Sequence, residues 1–522
     1  MSKPLVAALA LLALLTPWRH PIAQRAPQDV ERRAARQAPP NIILFVVDDL
    51  GWQDTQVPLT GVPNALNPRY RTPNALALAA GGMTFTDFYA ASPVCSPTRV
   101  TLITGQSPAR TRVTNWTQHE NEETSEPFPQ LLPPDWNRNG VSPSPMAHAF
   151  TGPLLPGLLR EAGYRTIHVG KAHWGATGTR GEDPMALGFD VNIGGTSAGQ
   201  PGSYLGTRNY SSGTAQGAFR DVPGLAKYHG TNTFLTEALT LEANRAIDEA
   251  VALQRPFFLH VAHFAVHTPI EPDARFLQRY LDAGLPLVEA RYASLIEGMD
   301  KSLGDVLANV ERHGLTRNTL VIFLSDNGGL SAHTRAAPLH SHNAPLRSGK
   351  GSAYEGGIRV PMLVKWPARV AAGVVTHLPT ITDDIFPTLL QVAGVANAKA
   401  LTRGMIGRDL HPALTGRAAD SRSADRKLLW HYPHFWGVNG PGIEPFSALR
   451  TGRYKLIYFY GQRRFELYDL STDIGEATNL VSTKPAVATR LAAQLRKALV
   501  DAGAQMPIDA NTGKAVTIPA FR

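Results

Sequence analysis

The clearest signal along the chain is a set of short, unbroken apolar runs, each followed at once by polar residues. Asn41 to Val47 (NIILFVV) runs into Asp48-Asp49, and Thr319 to Leu324 (TLVIFL) into Ser325-Asp326-Asn327-Gly328-Gly329. Phe257 to Ala262 leads to His263 and then His267-Thr268-Pro269. Tyr164 to Val169 leads to Gly170-Lys171-Ala172-His173. A continuous run, rather than an alternating one, suits a strand buried on both faces. Helical spacing occupies the intervals, over Pro156 to Ala162, Phe234 to Gln254 and Tyr292 to His313. Strands alternating with helices predict an α/β fold on a large mixed, mostly parallel sheet flanked by helices. In such sheets ligands bind beyond the carboxyl ends of the strands. Singly, an Asp-Gly step after a strand is a turn and a lone histidine is structural. Four strand ends carrying acids, an amide, histidines and a lysine point together to a site.

After Gly394 the pattern changes. Leu410 to Asp425 reads as a linker. Leu428 to Tyr432, Tyr454 to Tyr460 and Phe465 to Leu470 read as short strands, and Ala486 to Ala502 as an amphipathic helix with Leu491, Leu495 and Leu499 on one face. These predict a smaller C-terminal subdomain of antiparallel sheet plus helix, over residues 411–522, after a larger α/β domain over 40–410. At the other end, Lys3 precedes an apolar stretch from Leu5 to Leu15, with Arg19 and His20 behind it. This reads as a signal peptide over residues 1–23, or an uncleaved anchor, followed by a linker over 24–39. The expectation is an exported protein, periplasmic or secreted in a bacterium, with no transmembrane span in its mature form.

Composition narrows the function class. Of 522 residues, 43% are apolar and 18% charged, which excludes a disordered chain, a collagen and a polytopic membrane protein. Lys and Arg (51) exceed Asp and Glu (42), giving +9, but the excess is dispersed and no nucleic-acid module accompanies it. The single cysteine, Cys95, rules out an internal disulfide and a Cys-rich metal module.

The chemistry concentrates at two places. Asp48, Asp49, Asp326 and Asn327 offer oxygens alone, a donor set for a hard cation, Ca²⁺ in preference to Mg²⁺. Cys95-Ser96-Pro97-Thr98-Arg99 then opens a helical pattern that ends at Thr104-Gly105. The cysteine is thereby set at a helix N-terminus, where exposed N–H groups favour anions. Arg99 lies one turn on, on the same face. An inert, buried cysteine is the plain alternative.

With the strand-end cluster, this C-x-P-x-R stretch resembles the formylglycine-dependent sulfatases, which have an alkaline-phosphatase-like fold. Asp48-Asp49 is similar to that family's first metal pair and Ser325-Asp326-Asn327-Gly328 to its second metal segment. Gly170-Lys171-Ala172-His173-Trp174-Gly175 resembles its G-K-x-H element, with the aromatic shifted, and His267-Thr268-Pro269 its histidine element. Lys350-Gly351 through Glu355-Gly356-Gly357-Ile358-Arg359-Val360-Pro361 resembles the stretch that presents a sulfate-binding lysine. Leu467-Tyr468-Asp469-Leu470 and Asn479-Leu480 are similar as well.

The resemblance implies a mechanism. Cys95 is oxidised by a formylglycine-generating or other sulfatase-maturing enzyme to an aldehyde, whose hydrate attacks a sulfate ester. One Ca²⁺ is held by Asp48, Asp49, Asp326, Asn327 and the modified Cys95. Lys171 and Lys350 bind sulfate oxygens, Arg99 stabilises the hydrate, His267 with Lys350 protonates the leaving alcohol, and His173 takes the proton that lets sulfate depart. The substrate is a sulfated carbohydrate or an aryl sulfate. Polar loops over Asn115 to Pro145, with Trp116 and Trp136, and over Ser331 to Ser341, with His333, Arg335 and His340, are candidates for the pocket rim, and His434 for a substrate contact. Two other readings stay open: a phosphomonoester or phosphonate hydrolase of the same superfamily, and a non-catalytic protein that binds sulfated glycans.

Overall fold

Each side chain of the Asn41–Val47 strand is buried, and alternate residues enter different cores. Ile43, Phe45 and Val47 pack with Leu239, Ile247, Leu295 and Met299 from the helices Leu235–Ala252 and Leu287–Arg312. Ile42, Leu44 and Val46 pack with Val100, Leu159, Ile385 and Leu389 from the helices Cys95–Thr104, Leu155–Glu161 and Ile385–Val392. The result is a sheet with helices on both faces. The computed structural model describes residues 1, 39–60, 67–332, 338–417 and 426–521. The expected signal peptide and linker (apart from Met1 and Pro39), and the loop residues His333 and Arg335, lie outside them.

The main sheet has eight strands, in the order Val374–Thr376, Met83–Phe85, Met362–Lys365, Thr319–Ser325, Asn41–Val47, Phe257–Ala262, Arg165–Gly170, Val191–Ile193. Met362–Lys365 runs against both its neighbours, and the other pairings are parallel. The four apolar runs read from the sequence are adjacent, so their polar ends converge. The helix expected from Tyr292 begins earlier, at Leu287, directly after Pro286, which supplies its N-cap.

A second, antiparallel sheet of four strands follows: Lys427–Tyr432, Phe446–Thr451, Tyr454–Phe459 and Arg464–Asp469. Phe446–Thr451 was not expected, because its sequence FSALRT interrupts the apolar pattern with Ser447 and Arg450. Both are buried and partnered, Ser447 by His431 and Arg450 by Asp87. One face of this sheet packs Leu429, Leu449 and Leu456 on Leu491, Leu495 and Leu499 of the helix Pro485–Ala502. The other packs Trp430, Phe446 and Ile457 on Tyr89, Val94 and Tyr354.

An ion network crosses that contact. The Lys455 ammonium, fully buried, lies 3.0 Å from Glu355 Oε1 and 2.9 Å from Glu476 Oε1. Glu355 also accepts from Tyr89 Oη at 2.6 Å and pairs with Arg359, which reaches Asp87. Lys455→Met leaves two buried carboxylates short of a cation. Loss of one partner from such a group costs about 3–5 kcal/mol, so the denaturant midpoint is expected to fall sharply, with partial recovery in Lys455→Met/Glu476→Gln.

Asp383 provides a pH-dependent counterpart. Burial, reinforced by Asp384, raises its carboxyl to about 7. An acid with a raised folded pKa binds its proton more tightly in the native state. Its contribution is therefore complete below the unfolded value of about 3.9 and is lost as pH rises through about 7. Asp383→Asn is expected to gain thermal stability relative to the parent as pH rises from 4 to 7, with a constant difference above. A difference in Tm independent of pH would contradict this.

Candidate active site

The polar strand ends are tied to one another through the backbone. Asp48 N–H donates to Ala265 O at 3.0 Å, Lys171 N–H to Ala262 O at 2.7 Å, and Asp326 N–H to Val47 O at 3.2 Å. Three segments beyond three neighbouring strands are thus held in fixed relation to the Asn41–Val47 strand. Asp49 adopts the left-handed region at φ 60°, a conformation that Asp tolerates better than most residues. Its N–H donates to Asp326 Oδ1 at 3.2 Å, and its Oδ1 accepts from Asn327 Nδ2 at 2.8 Å.

Cys95 is the first residue of its helix, with Val94 as an extended N-cap. The helix ends at Gly105, whose φ of 66° and close contact with the Phe386 ring leave no room for a Cβ. Arg99, one turn along and fully buried, donates from Nε to Asp326 Oδ2 at 2.7 Å and from Nη1 to Lys171 O at 2.8 Å. Lys171 Nζ donates to Asp48 Oδ2 at 2.7 Å. Lys350 Nζ lies 2.7 Å from Asp49 Oδ1 and 3.5 Å from Cys95 Sγ. Asp48, Cys95 and Asp326, and likewise Asp49, Cys95 and His267, each offer ligand atoms within 4.8 Å of one another.

Two oxygens in this cluster, Asp48 Oδ1 and Asn327 Oδ1, are buried without a hydrogen-bond partner. Both belong to the oxygen donor set read from the sequence, and unsatisfied buried acceptors facing a carboxylate cluster fit a bound cation.

The charges shape each proton affinity. At Cys95 burial is overcome by Lys171 and Lys350, and the thiol falls to about 6. Burial, opposed by Lys171 and reinforced by Asp326, holds the Asp48 carboxyl well above the usual range. At Asp49 burial is overcome by Lys350 and His267, and the carboxyl sits well below it. Arg99 and Lys171 likewise overcome burial at Asp326 and lower it. At His267 burial and Lys350 are outweighed by Asp49 and Asp48, and the imidazole is raised. At His173 burial, with Lys171, depresses the imidazole well below its ordinary value. His173 Nε2 lies 2.9 Å from Thr117 O, which fixes that nitrogen as the donor and leaves the unpartnered Nδ1 with its lone pair.

Above the cluster opens a cavity of about 230 Å³, whose walls include Cys95, His173, His267, Lys350 and Trp116. Lys171, Arg99 and the carboxylates lie behind that lining. Sequence reasoning named Trp116 and its loop over Asn115 to Pro145, which also supplies Gln118, but missed Ser197, Gln200, Phe219, Arg220 and Trp436, which line it too. These come from irregular loops, and only the aromatic and amide content of those loops hinted at them. His434 is not brought to the cavity lining. Its Nε2 meets Thr114 Oγ1 at 2.8 Å and its ring packs edge-on against Trp136 at 4.9 Å.

A large mixed sheet that gathers a cysteine at a helix N-terminus, acids and cations at its carboxyl ends, with an antiparallel sheet beside it, defines an alkaline-phosphatase-like hydrolase. Residues 40–395 match the family model described as sulfatase, and residues 349–505 that of the N-sulphoglucosamine sulphohydrolase C-terminal region. The chain belongs to the sulfatase family and is a sulfuric ester hydrolase. It is 29% identical over 493 residues to a sulfatase of Formosa agariphila, covering 86% of each chain. It is 30% identical over 460 residues to the N-acetylgalactosamine-6-sulfatase of Canis lupus familiaris, covering 86% of this chain and 77% of that one. The crystal structure of Ps i-CgsB superposes with a TM-score of 0.70 at 26% identity, covering 88% of this chain and 93% of that one. The second match begins at residue 349, just before Lys350, and the segment carrying that lysine is fastened to the C-terminal sheet by Glu355 and Lys455.

Proposed function

We propose that the chain hydrolyses sulfate monoesters of carbohydrates, using a nucleophile made when a maturation enzyme oxidises Cys95 to formylglycine, with one divalent cation beside it. The observation that carries this reading is the approach of Cys95 Sγ to the ligand oxygens of Asp48 and Asp326 at the edge of a cavity. Trp116 and Trp436 offer flat faces for a sugar ring, and Gln118, Ser197 and Gln200 offer partners for hydroxyls. Asp48, Asp49, Asp326, Asn327 and the modified residue 95 would hold the cation, for which the oxygen-rich donors favour Ca²⁺. When bound, the ion and the aldehyde hydrate supply Lewis-acid polarisation of sulfate and a hydroxyl nucleophile.

The chain's own groups divide the remaining work. Lys350, beside Cys95, and Lys171, behind it, place positive charge where the sulfate oxygens gather. Arg99 holds Asp326 and adds a third cation. His267 Nδ1 lies 3.0 Å from Thr268 O, so its Nε2 faces Asp49 and Cys95. Its raised proton affinity suits an acid that protonates the leaving alcohol oxygen. His173, kept neutral with Nδ1 free, suits a base that takes a proton from the hydroxyl at position 95 as sulfate departs. Residues 1–23 direct export. Among the described residues no helix is long and apolar enough to cross a membrane.

Protein co-expressed with a formylglycine-generating enzyme is expected to release sulfate from a sulfated monosaccharide. Its Cys95 peptide should have lost sulfur and two hydrogens and gained one oxygen. Cys95→Ser is expected to lose about a thousandfold or more in kcat. Wild-type multiple turnover by that variant, or full activity with an unmodified Cys95, would sink the reading.

Gly199 packs on the proposed base: a Cβ there would lie 2.7 Å from His173 Cε1 and 3.1 Å from Nε2. Gly199→Ala is therefore expected to displace the ring and lower kcat by about tenfold to a hundredfold. Tm should be little changed. An unaltered kcat would show that the loop yields instead of the ring, whereas an unaltered kcat in His173→Ala would remove His173 from the mechanism.

A further inference from the structure

Of the charged side chains that line the cavity, Lys350 is already committed to Asp49, at 2.7 Å, and works next to Cys95. Arg220 is different. It ends the short 3-10 turn Ala218–Arg220, on a wall made by other segments, and its guanidinium lies over the Phe219 ring at 4.9 Å. Phe219 in turn meets the His119 ring edge-on at 4.9 Å, so the aromatic platform under the arginine is itself held. Among the described residues no carboxylate pairs with Arg220. The adjacent acid, Asp221, accepts from Ser212 N–H at 3.0 Å instead. Among the described residues no Asp or Glu lines the cavity.

The surrounding backbone fixes where this cation sits. Gly202 N–H donates to Arg220 O at 2.7 Å, which ties the turn to the loop that carries Ser197 and Gln200. Thr268 Oγ1 reaches Gln200 Oε1 at 3.4 Å, which orients that amide with its NH₂ donors directed elsewhere. Arg220 therefore stands half-buried on an aromatic face, at a wall that also carries neutral hydrogen-bonding groups. It is separate from the cations assigned to the sulfate being cleaved. A guanidinium with no counter-charge among the described residues, on a lining whose described residues include no carboxylate, is a site for an anion brought by the ligand.

We propose that the preferred substrate is a sugar that carries a second anionic group besides the sulfate that is cleaved, and that Arg220 binds this second group. The inference rests on the sulfate-ester reading above and specifies its substrate class. The shared chemistry is a planar or tetrahedral oxyanion able to accept two parallel N–H bonds, either a uronate carboxylate or a second sulfate. A cavity of about 230 Å³ confines this choice to groups on the same sugar residue or its immediate neighbour.

The test uses the matured full-length enzyme on three sulfated sugars: one with a single sulfate and no other charge, one with two sulfates, and one with a sulfate and a carboxylate. The expected result is a higher kcat/KM on a doubly charged sugar. Arg220→Ala should reduce that preference by about tenfold to a hundredfold, chiefly through KM. Arg220→Lys, which keeps the charge and loses the fork, should restore part of it. The sugar on which the loss falls identifies the second anion as carboxylate or sulfate. Equal losses on singly and doubly charged sugars, or a wild-type preference for the singly charged one, would overturn this inference and leave the sulfatase reading standing. No hydrolysis of any of the three would overturn both.

Discussion

Three carboxylates and three cations are buried together at the carboxyl ends of one sheet, and the rest of the molecule is organised around the cost of keeping them there. Asp48, Asp49, Asp326, Arg99 and Lys171 are fully buried, and Lys350 nearly so. A buried ion without a partner costs several kcal/mol, and mutual attraction repays this only when the geometry is close. Here the contacts are 2.7 Å for Lys171 with Asp48, Arg99 with Asp326 and Lys350 with Asp49. Such geometry needs rigid supports. The acids follow directly from adjacent strands, and backbone hydrogen bonds such as Asp326 N–H to Val47 O lock those ends together. Precision is inherited from the sheet, as expected where function sits beyond strand ends.

Lys350 is the exception, because neither a strand end nor a helix delivers it. Its segment is instead pinned through Glu355 and Arg359, which face Tyr89, Asp87 and Lys455 rather than the cavity. The C-terminal sheet acts as a buttress. Its inner face packs on Val94, the N-cap of the Cys95 helix, and on Tyr354, between Lys350 and Glu355. A sheet that contributes no cavity-lining residue from its own strands thereby sets two elements of the site.

This division explains what could be read from the sequence. Residues whose position follows from strand order were legible, since an apolar run ending in Asp, Asn, Lys or His places its last residues at a known edge. Asp48, Asp326, Lys171 and His267 come together for that reason, and Arg99 joins them through helical periodicity. Less was legible where tertiary contact overrides local pattern. Phe446–Thr451 conceals a central strand because its polar residues find buried partners. Phe219, Arg220 and Trp436 sit on irregular segments whose path no periodicity encodes. The aromatic surroundings of His434 draw it into packing with Trp136, away from the lining.

The arrangement also bears on why an enzyme for anions would bury so many acids. Counted as a cluster, the acids and cations nearly cancel, yet they are layered rather than mixed. The carboxylates lie behind the surface, while the charged and titratable groups that reach the cavity are Cys95, Lys350, Arg220, His173 and His267. In a low-dielectric interior the order of charges matters more than their sum, because screening by water is absent. The buried acids hold the inner cations in place, and at Lys350 they outweigh burial and raise its proton affinity. An approaching anion meets the cations first, on a wall whose described residues include no acid to repel it.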